Sequence, residues 1–336
     1  MASALACASE PEAEPAPAPA PLCLGTLSEP TDPIADATAF AVLPDTQFYS
    51  CAYPGIFASQ TAWLVEQRDA LGIALALHTG DIVDIDVASQ WQVAADALHA
   101  LDGELPYVLA PGNHDLDGRR STMLARYFDQ DDLSRAGGAE LCVRSPGQLD
   151  NSYAIARLRG EPWLFVGLEF GPRDAVLDWA NDVLAEHADK PAVLFTHAYL
   201  YSDGQRYDRA ITPLQPYHPD SYGVTASAGI NDGQDIFERV VQPNDNVRLV
   251  LSGHVIPDGT ARSSYERPSG ELVHEVLTNY QTCGACPCPD VNGGDGFLRI
   301  FQLDEAGGLQ VTTYSPSRDT YLTDPENQFE LPKTAL

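Results

Sequence analysis

The sequence predicts an α/β protein with two β-sheets packed face to face and helices outside. Two observations carry this expectation. Apolar strand-like runs alternate with helical spacing over the first two-thirds of the chain, as parallel βαβ units do. The last third then reads as strands with little helix between them. Hydrophobic content of 44% in 336 residues is enough to fill such a core.

The first 35 residues stand apart. Glu10 to Pro21 is an Ala/Pro/Glu tract, which cannot pack and acts as a semi-rigid spacer. Ahead of it, Ala4-Leu5-Ala6-Cys7 resembles the end of a secretory signal followed by the lipid-modified cysteine of a bacterial lipoprotein. Ala4 stands where Leu is usual, and no apolar core precedes it, so an export signal would lie outside this sequence. The expectation is a tether over residues 1–35, with a possible lipid anchor at Cys7, and one domain over 36–336.

Within that domain Ala39–Leu43 is strand-like. Phe57, Thr61, Leu64, Val65, Arg68 and Leu71 follow at helical spacing. Ile73–His78 is a buried strand; Trp91, Ala94, Ala95, Leu98 and Leu101 mark the next helix, closed by Gly103. Pro106–Ala110 is a third strand. Trp163–Leu168 and Ala192–Phe195 are strands separated by a helix around Asp174–Ala188, and Val247–Ser252 is another. Leu272–Tyr280, Gly296–Leu303 and Leu309–Tyr314 close the chain as strands. Pro216–Asp232, rich in Tyr, Pro and Gly, reads as a long surface loop and a candidate substrate wall.

Charge and cysteines bound the function. With 19 basic and 48 acidic residues the net charge is −29, a surface that repels polyanions, so no nucleic-acid-binding surface is expected. Small substrates suit it better. No apolar run approaches the roughly 20 residues of a membrane span. Besides Cys7 there are Cys23, Cys51, Cys142, Cys283, Cys286 and Cys288, an even number that favours disulfides in an exported chain. The last three lie in Cys283-Gly284-Ala285-Cys286-Pro287-Cys288, too close for easy internal pairing. The simplest expectation bonds each to one of the three distant cysteines, Cys51 among them. The expected location is extracytoplasmic: periplasmic, outer-membrane lipoprotein or secreted.

Chemistry gathers at the strand ends. Ala39–Leu43 leads to Pro44-Asp45-Thr46-Gln47, and Ile73–Thr79 to Gly80-Asp81-Ile82-Val83-Asp84. Tyr107–Pro111 leads to Gly112-Asn113-His114-Asp115, Ala192–Thr196 to His197, and Val247–Ser252 to Gly253-His254. Each run places a ligand-capable side chain where an α/β sheet puts its active site. Singly, a Gly-Asp turn is nearly always a turn and a strand-end His a core residue. Five in succession are hard to assign to packing.

The order Asp45…Gly80-Asp81-x-x-Asp84…Gly112-Asn113-His114-Asp115…His197…Gly253-His254 resembles the calcineurin-like metallophosphoesterase superfamily over roughly residues 38–304. The resemblance implies two mixed β-sheets packed as a sandwich with flanking helices. It also implies two metal ions bridged by an Asp and a hydroxide. Asp81 would be the bridging carboxylate; Asn113, His197 and His254 would complete one metal site, and Asp45 would serve the other. His114 would contact the phosphate and protonate the leaving oxygen, Asp115 would orient it, and Asp84 would support from behind.

Two departures stand out. The family pattern DxH is Asp45-Thr46-Gln47 here, and GHxH is Gly253-His254-Val255-Ile256. Both missing histidines would serve the same ion, which keeps Asp45, shared Asp81 and the Gln47 carbonyl. Oxygen ligands suit hard ions. The expectation is one tight and one weaker divalent ion, drawn from Mn, Fe, Zn, Mg or Ca. His274 and His78 read as structural, and His99, His187 and His218 as surface or loop residues. Asn279-Tyr280-Gln281 either lines the site or ends a strand. The expected function is hydrolysis of phosphate mono- or diesters on a small substrate, by in-line attack of a metal-bound hydroxide, in a monomer. The alternative is a surface-tethered binding protein with little or no turnover on the same scaffold.

Overall fold

The computed structural model describes residues 22–25, 27, 37–117, 120–223, 229–282, 284–287, 289 and 291–333. Cys7 and the Pro-rich tract lie outside them, as do Cys283 and Cys288. Strand β1 (Leu22–Gly25) is followed by β2 (Ala39–Leu43), α1 (Gln47–Ala52), α2 (Pro54–Leu71), β3 (Ile73–His78), α3 (Ala88–Leu98) and β4 (Tyr107–Leu109). Short helices α4 (Leu124–Tyr127) and α5 (Gln130–Ser134) precede a meander of β5 (Ala139–Ser145), β6 (Gln148–Leu158) and β7 (Glu161–Leu168). Then come α6 (Asp174–Glu186), β8 (Ala192–Thr196), α7 (Gly233–Ile236), which runs into a wider turn over Phe237–Val241, and β9 (Val247–Ser252). The chain finishes with β10 (Thr260–Glu266), β11 (Leu272–Thr278), β12 (Leu298–Leu303), β13 (Leu309–Ser315), β14 (Thr320–Leu322) and β15 (Phe329–Leu331).

Two mixed sheets result. One has the order β1-β5-β6-β7-β8-β9-β11-β10; the other runs β14-β13-β12-β2-β3-β4, with β15 on β13. Strands β2, β3 and β4 are parallel to one another, as are β7, β8, β9 and β11, and the added neighbours are antiparallel. The central strands are apolar runs buried along their length because both faces are covered. Phe40 of β2 meets Phe165 of β7 edge-to-face at 5.3 Å and stacks on Phe301 of β12 at 5.0 Å, which places the sandwich core between the sheets. A second apolar cluster forms where α6 and the Ile236–Val241 segment cover the outer face of the larger sheet.

Local signals explain the helices that position the site. Helix α2 has Pro54 in its first turn and stops at Gly72, which takes the left-handed conformation (φ 61°) and donates its N–H to the Arg68 carbonyl. Helix α1 was not expected from the sequence. Its six residues lack a helical apolar stripe, and its start is buried by tertiary packing.

Three expectations are corrected. Residues 22–25, assigned to the tether, form β1 against β5, so the folded part reaches further towards the N-terminus than residue 36. Cys23 bonds Cys142 across that strand pair, so Cys23 and Cys142 do not pair with the Cys283–Cys288 cluster. Edge-strand pairing brings these two together, and sequence spacing carries no sign of it. His218, read as a surface or loop residue, lies in a loop but is buried rather than at the surface, with Nε2 3.4 Å from Asp232.

Cys51 does bond into the cluster, to Cys286. Cys51 lies in α1, so the bond ties the helix behind Asp45 and Gln47 to the segment after β11. The closed loop spans 235 residues. In the chain-entropy picture a loop that long contributes about 5 kcal/mol. The paired replacement Cys51→Ser plus Cys286→Ser is expected to lower Tm by several degrees and to raise the metal concentration needed for activity. Calorimetry and a metal titration read both; an unchanged Tm would contradict the assignment.

Candidate metal centre

Five strands deliver polar side chains to one rim of the sandwich. β2 leads to Asp45, β3 to Asp81, β4 to Asn113, β8 to His197 and β9 to His254. Ligand-capable atoms of Asp81, His197 and His254 lie within 4.8 Å of one another. His197 Nε2 stands 3.1 Å from Asp81 Oδ2 and 3.9 Å from Asp45 Oδ1. It is also 3.1 Å from His254 Nδ1. The remaining ring nitrogens donate to backbone carbonyls, His197 Nδ1 to Thr79 at 2.9 Å and His254 Nε2 to Tyr217 at 2.8 Å. Those bonds fix the tautomers, so His197 presents Nε2 and His254 presents Nδ1 to the shared space.

The backbone is shaped for this convergence. Asp81 and His254 both hold left-handed conformations, φ 52° and 81°, which non-glycine residues adopt rarely. Glycine is required where chains approach closely. A Cβ on Gly112 would fall 2.1 Å from Asp81 Oδ1, and one on Gly253 would fall 2.4 Å from Asp45 Oδ2. Asp45 in turn accepts the His254 N–H at 3.1 Å, joining the two sheets.

Burial pushes Asp45 up to about 7, with the Asp81 charge adding to the effect and His197 opposing it. Burial would also raise Asp81, but the charges of His197 and His114 outweigh it and hold this carboxyl below the usual range. For His197 burial pulls downward, and the charges of Asp81 and Asp45 override it, to about 9. Burial, then the His197 charge, pushes His254 down to about 3. The two buried carboxylates therefore call for positive charge between them, which a proton on His197 or a cation supplies. Asn113 Oδ1 and Gln47 Oε1 are buried with no hydrogen-bond partner. An unpaired buried amide oxygen costs about 1–3 kcal/mol, and a cation would satisfy it. The residues present fit a divalent ion.

An uptake prediction follows from His197. Adding Mn²⁺ to chelated protein at pH 7 is expected to release about one proton per tightly held ion, because the ion displaces the His197 proton. Calorimetry in buffers of different ionisation enthalpy reads this; heats independent of buffer would contradict it.

His114 sits beside the cluster. Its N–H donates to Asp81 Oδ1 at 2.9 Å, and its Nδ1 donates to the Asp84 carbonyl at 2.7 Å, with Asp84 Oδ1 3.6 Å away. Nε2 is the ring nitrogen that these contacts leave uncommitted. The expectation that Asp115 orients His114 is corrected here. Asp115 is buried and accepts the N–H groups of Gly112 at 2.8 Å and Val83 at 2.9 Å, tying together the turns after β3 and β4. Adjacent residues in a turn point apart, and the group that meets His114 is Asp84.

His78 is structural, and it works on the same turns. Its Nδ1 accepts the Gly80 N–H at 3.1 Å and its Nε2 donates to Thr46 Oγ1 at 2.9 Å, bracing the segments that carry Asp81 and Asp45. Burial, then the His197 charge, depresses its pKa to about 3 and keeps it neutral. His274 lies elsewhere, bonded to Ser264 and the Pro332 carbonyl. Asn279 and Gln281 follow β11, with Asn279 Nδ2 and Gln281 Nε2 buried and unpartnered. Sequence reasoning missed the carbonyls of Thr79 and Tyr217, because a backbone acceptor leaves no mark on residue type.

A family model described as calcineurin-like phosphoesterase matches residues 38–258, a span that contains every residue of this cluster. The chain belongs to the calcineurin-like phosphoesterase family. It is 32% identical over 311 residues to an uncharacterized protein, YvnB, of Bacillus subtilis (strain 168). That alignment covers 87% of this chain and 21% of YvnB, so the chain spans about a fifth of this relative's length. Among solved structures it resembles the purple acid phosphatase PPD1 from yellow lupin (Lupinus luteus) seeds, with a TM-score of 0.50 and 12% identity. The match covers 88% of this chain and 54% of the lupin chain and supports the shared fold. Against the family pattern, Gln47 and Ile256 stand where histidines are usual. Gln47 offers a buried amide oxygen; the Ile256 side chain offers no donor atom.

Proposed function

We propose that this calcineurin-like phosphoesterase is a metal-dependent hydrolase of phosphate mono- or diesters. The observation that carries it is the convergence of Asp81, His197 and His254 within 4.8 Å, with His114 anchored beside them on Asp81 and Asp84. Asp81, Asn113, His197 and His254 are assigned to the tighter ion, and Asp45, shared Asp81 and the Gln47 carbonyl to the weaker one. Divalent ions held there would supply an activated water and neutralise charge developing on the phosphoryl oxygens. His114, with Nδ1 committed to Asp84, turns Nε2 to the ester and gives its proton to the departing oxygen of an in-line displacement. Asp84 holds that ring in register, and Asp115 keeps the two supporting turns together.

Acidity and disulfides support an extracytoplasmic location and a small substrate. A lipid anchor through Cys7 and a monomeric state belong to the same proposal. Gln47 and Ile256 favour a second reading, a binding protein with little turnover. Assays with 4-nitrophenyl phosphate and bis(4-nitrophenyl) phosphate across several divalent ions separate the two. Hydrolysis that a chelator abolishes and metal restores supports the enzyme; metal binding without hydrolysis of either ester supports the binding protein.

A further inference from the structure

Among the described residues few large apolar side chains are exposed, and most of these lie in sequence beside residues that hold the centre's histidines. Of the five among the described residues, Ile85 and Val87 come one and three positions after Asp84, whose carbonyl holds His114. Leu214 and Tyr217 lie on the loop in which the Tyr217 carbonyl accepts a hydrogen bond from His254 Nε2. Only Tyr321 is remote from these loops in sequence. An exposed apolar side chain beside a polar site is placed to meet an apolar part of a ligand bound there.

Tyr217 is the most constrained of them. It is 43% exposed, yet its backbone is left-handed at φ 64°. For a bulky residue that conformation is strained, and it persists only where the surroundings impose it. Here they do so from both sides. Tyr207 donates its hydroxyl to the Pro216 carbonyl at 3.2 Å, and buried His218 accepts the Asp220 N–H and faces Asp232. Glycine would take this conformation freely, so what the tyrosine adds is its ring. That ring lies 6.4 Å from the His254 ring. Tyr222, half-buried, packs 5.5 Å from the same imidazole and edge-on to Phe170 at 5.4 Å.

We infer that Tyr217, backed by Tyr222, is the specificity surface for the alcohol part of the substrate, and that it receives a planar aromatic group, a nucleobase or an aryl ring. The inference rests on the phosphoesterase reading and adds the substrate class. A tyrosine face stacks on any flat π-system without reading its hydrogen-bond edge. The acidic surface disfavours long polyanions, so a single nucleotide or small aryl ester fits better than a polymer.

Two variants test it. Tyr217→Gly keeps the left-handed backbone and the carbonyl that holds His254, and removes only the ring. Tyr217→Phe keeps the ring. Each is assayed with metal-replete protein on adenosine 5′-phosphate, 4-nitrophenyl phosphate and glycerol phosphate, and on the methyl diesters of the same alcohols. For Tyr217→Gly, kcat/KM on the two ring-bearing esters should fall by about 5–100-fold relative to the ring-free ester, mainly through KM. Tyr217→Phe should preserve the wild-type ratio. A fall on only one ring-bearing ester assigns the surface to that source. Equal losses on all esters, or none, would overturn the inference. If the wild type hydrolyses none of them, the phosphoesterase reading fails separately. Binding of adenosine 5′-phosphate and phenyl phosphate to the Mn²⁺-loaded wild type and Tyr217→Gly then decides the aromatic surface, and equal affinities would overturn it.

Discussion

His114→Ala is expected to lower turnover by about 10²–10⁴-fold while leaving metal content intact. The separation of the two effects comes from geometry. The side chain of His114 points its Nδ1 at the Asp84 carbonyl, and only its backbone N–H touches Asp81. Alanine keeps that backbone bond, so the Asp81 carboxylate stays aligned. The loss should be smallest on esters with good leaving groups, which need little protonation, and largest on alkyl esters. Rates on a poor leaving group close to wild type would remove His114 from the chemistry. Asp84→Asn should produce a weaker version of the same defect, since the carbonyl that holds the ring remains.

His197→Ala is expected to remove the tight ion and with it all metal-dependent activity. Imidazole Nε2 of His197 faces Asp81, Asp45 and His254 at once, so its loss removes a ligand from the middle of the cluster. It would also leave two buried carboxylates without the positive charge that now balances them, and the variant should lose stability as well as metal. Asp45→Ala acts differently, mainly raising the metal concentration needed for activity. An amide oxygen is a weaker ligand than imidazole, so the half-site with Asp45 and Gln47 should fill only at high metal concentration. The double change Gln47→His plus Ile256→His should tighten that half-site and favour zinc. Metal analysis of each purified variant reads these outcomes; a tightly held ion surviving in His197→Ala would refute the ligand assignment.

Much of this site was legible because its residue types are unusual where they occur. An apolar run ending in Asp, Asn or His needs a reason, and Asp45, Asp81, Asn113, His197 and His254 supplied five such endings. The structure gathers the strands that carry them at one rim. What sequence could not show was partnership. Asp115 follows His114 in the chain, yet it binds Gly112 and Val83, because turn geometry sends successive side chains apart. Thr79 and Tyr217 hold the two imidazoles through carbonyls that every residue owns. Cysteine connectivity was open for the same reason: only the pairing of β1 with β5 brings Cys23 to Cys142. The β5–β6 hairpin, with its Pro146-Gly147 turn, carried a readable signal that the strand-by-strand reading passed over. Helix α1 carried none.

The most direct test is metal-dependent turnover by the intact chain. Protein stripped with chelator and then titrated with Mn²⁺ should hold about one ion per chain at limiting metal. Hydrolysis of a 4-nitrophenyl phosphate mono- or diester should be absent in the stripped protein and return with the ion. A wild-type protein that hydrolyses these esters equally well after stripping, or binds no ion at the Asp81–His197–His254 cluster, would contradict the account.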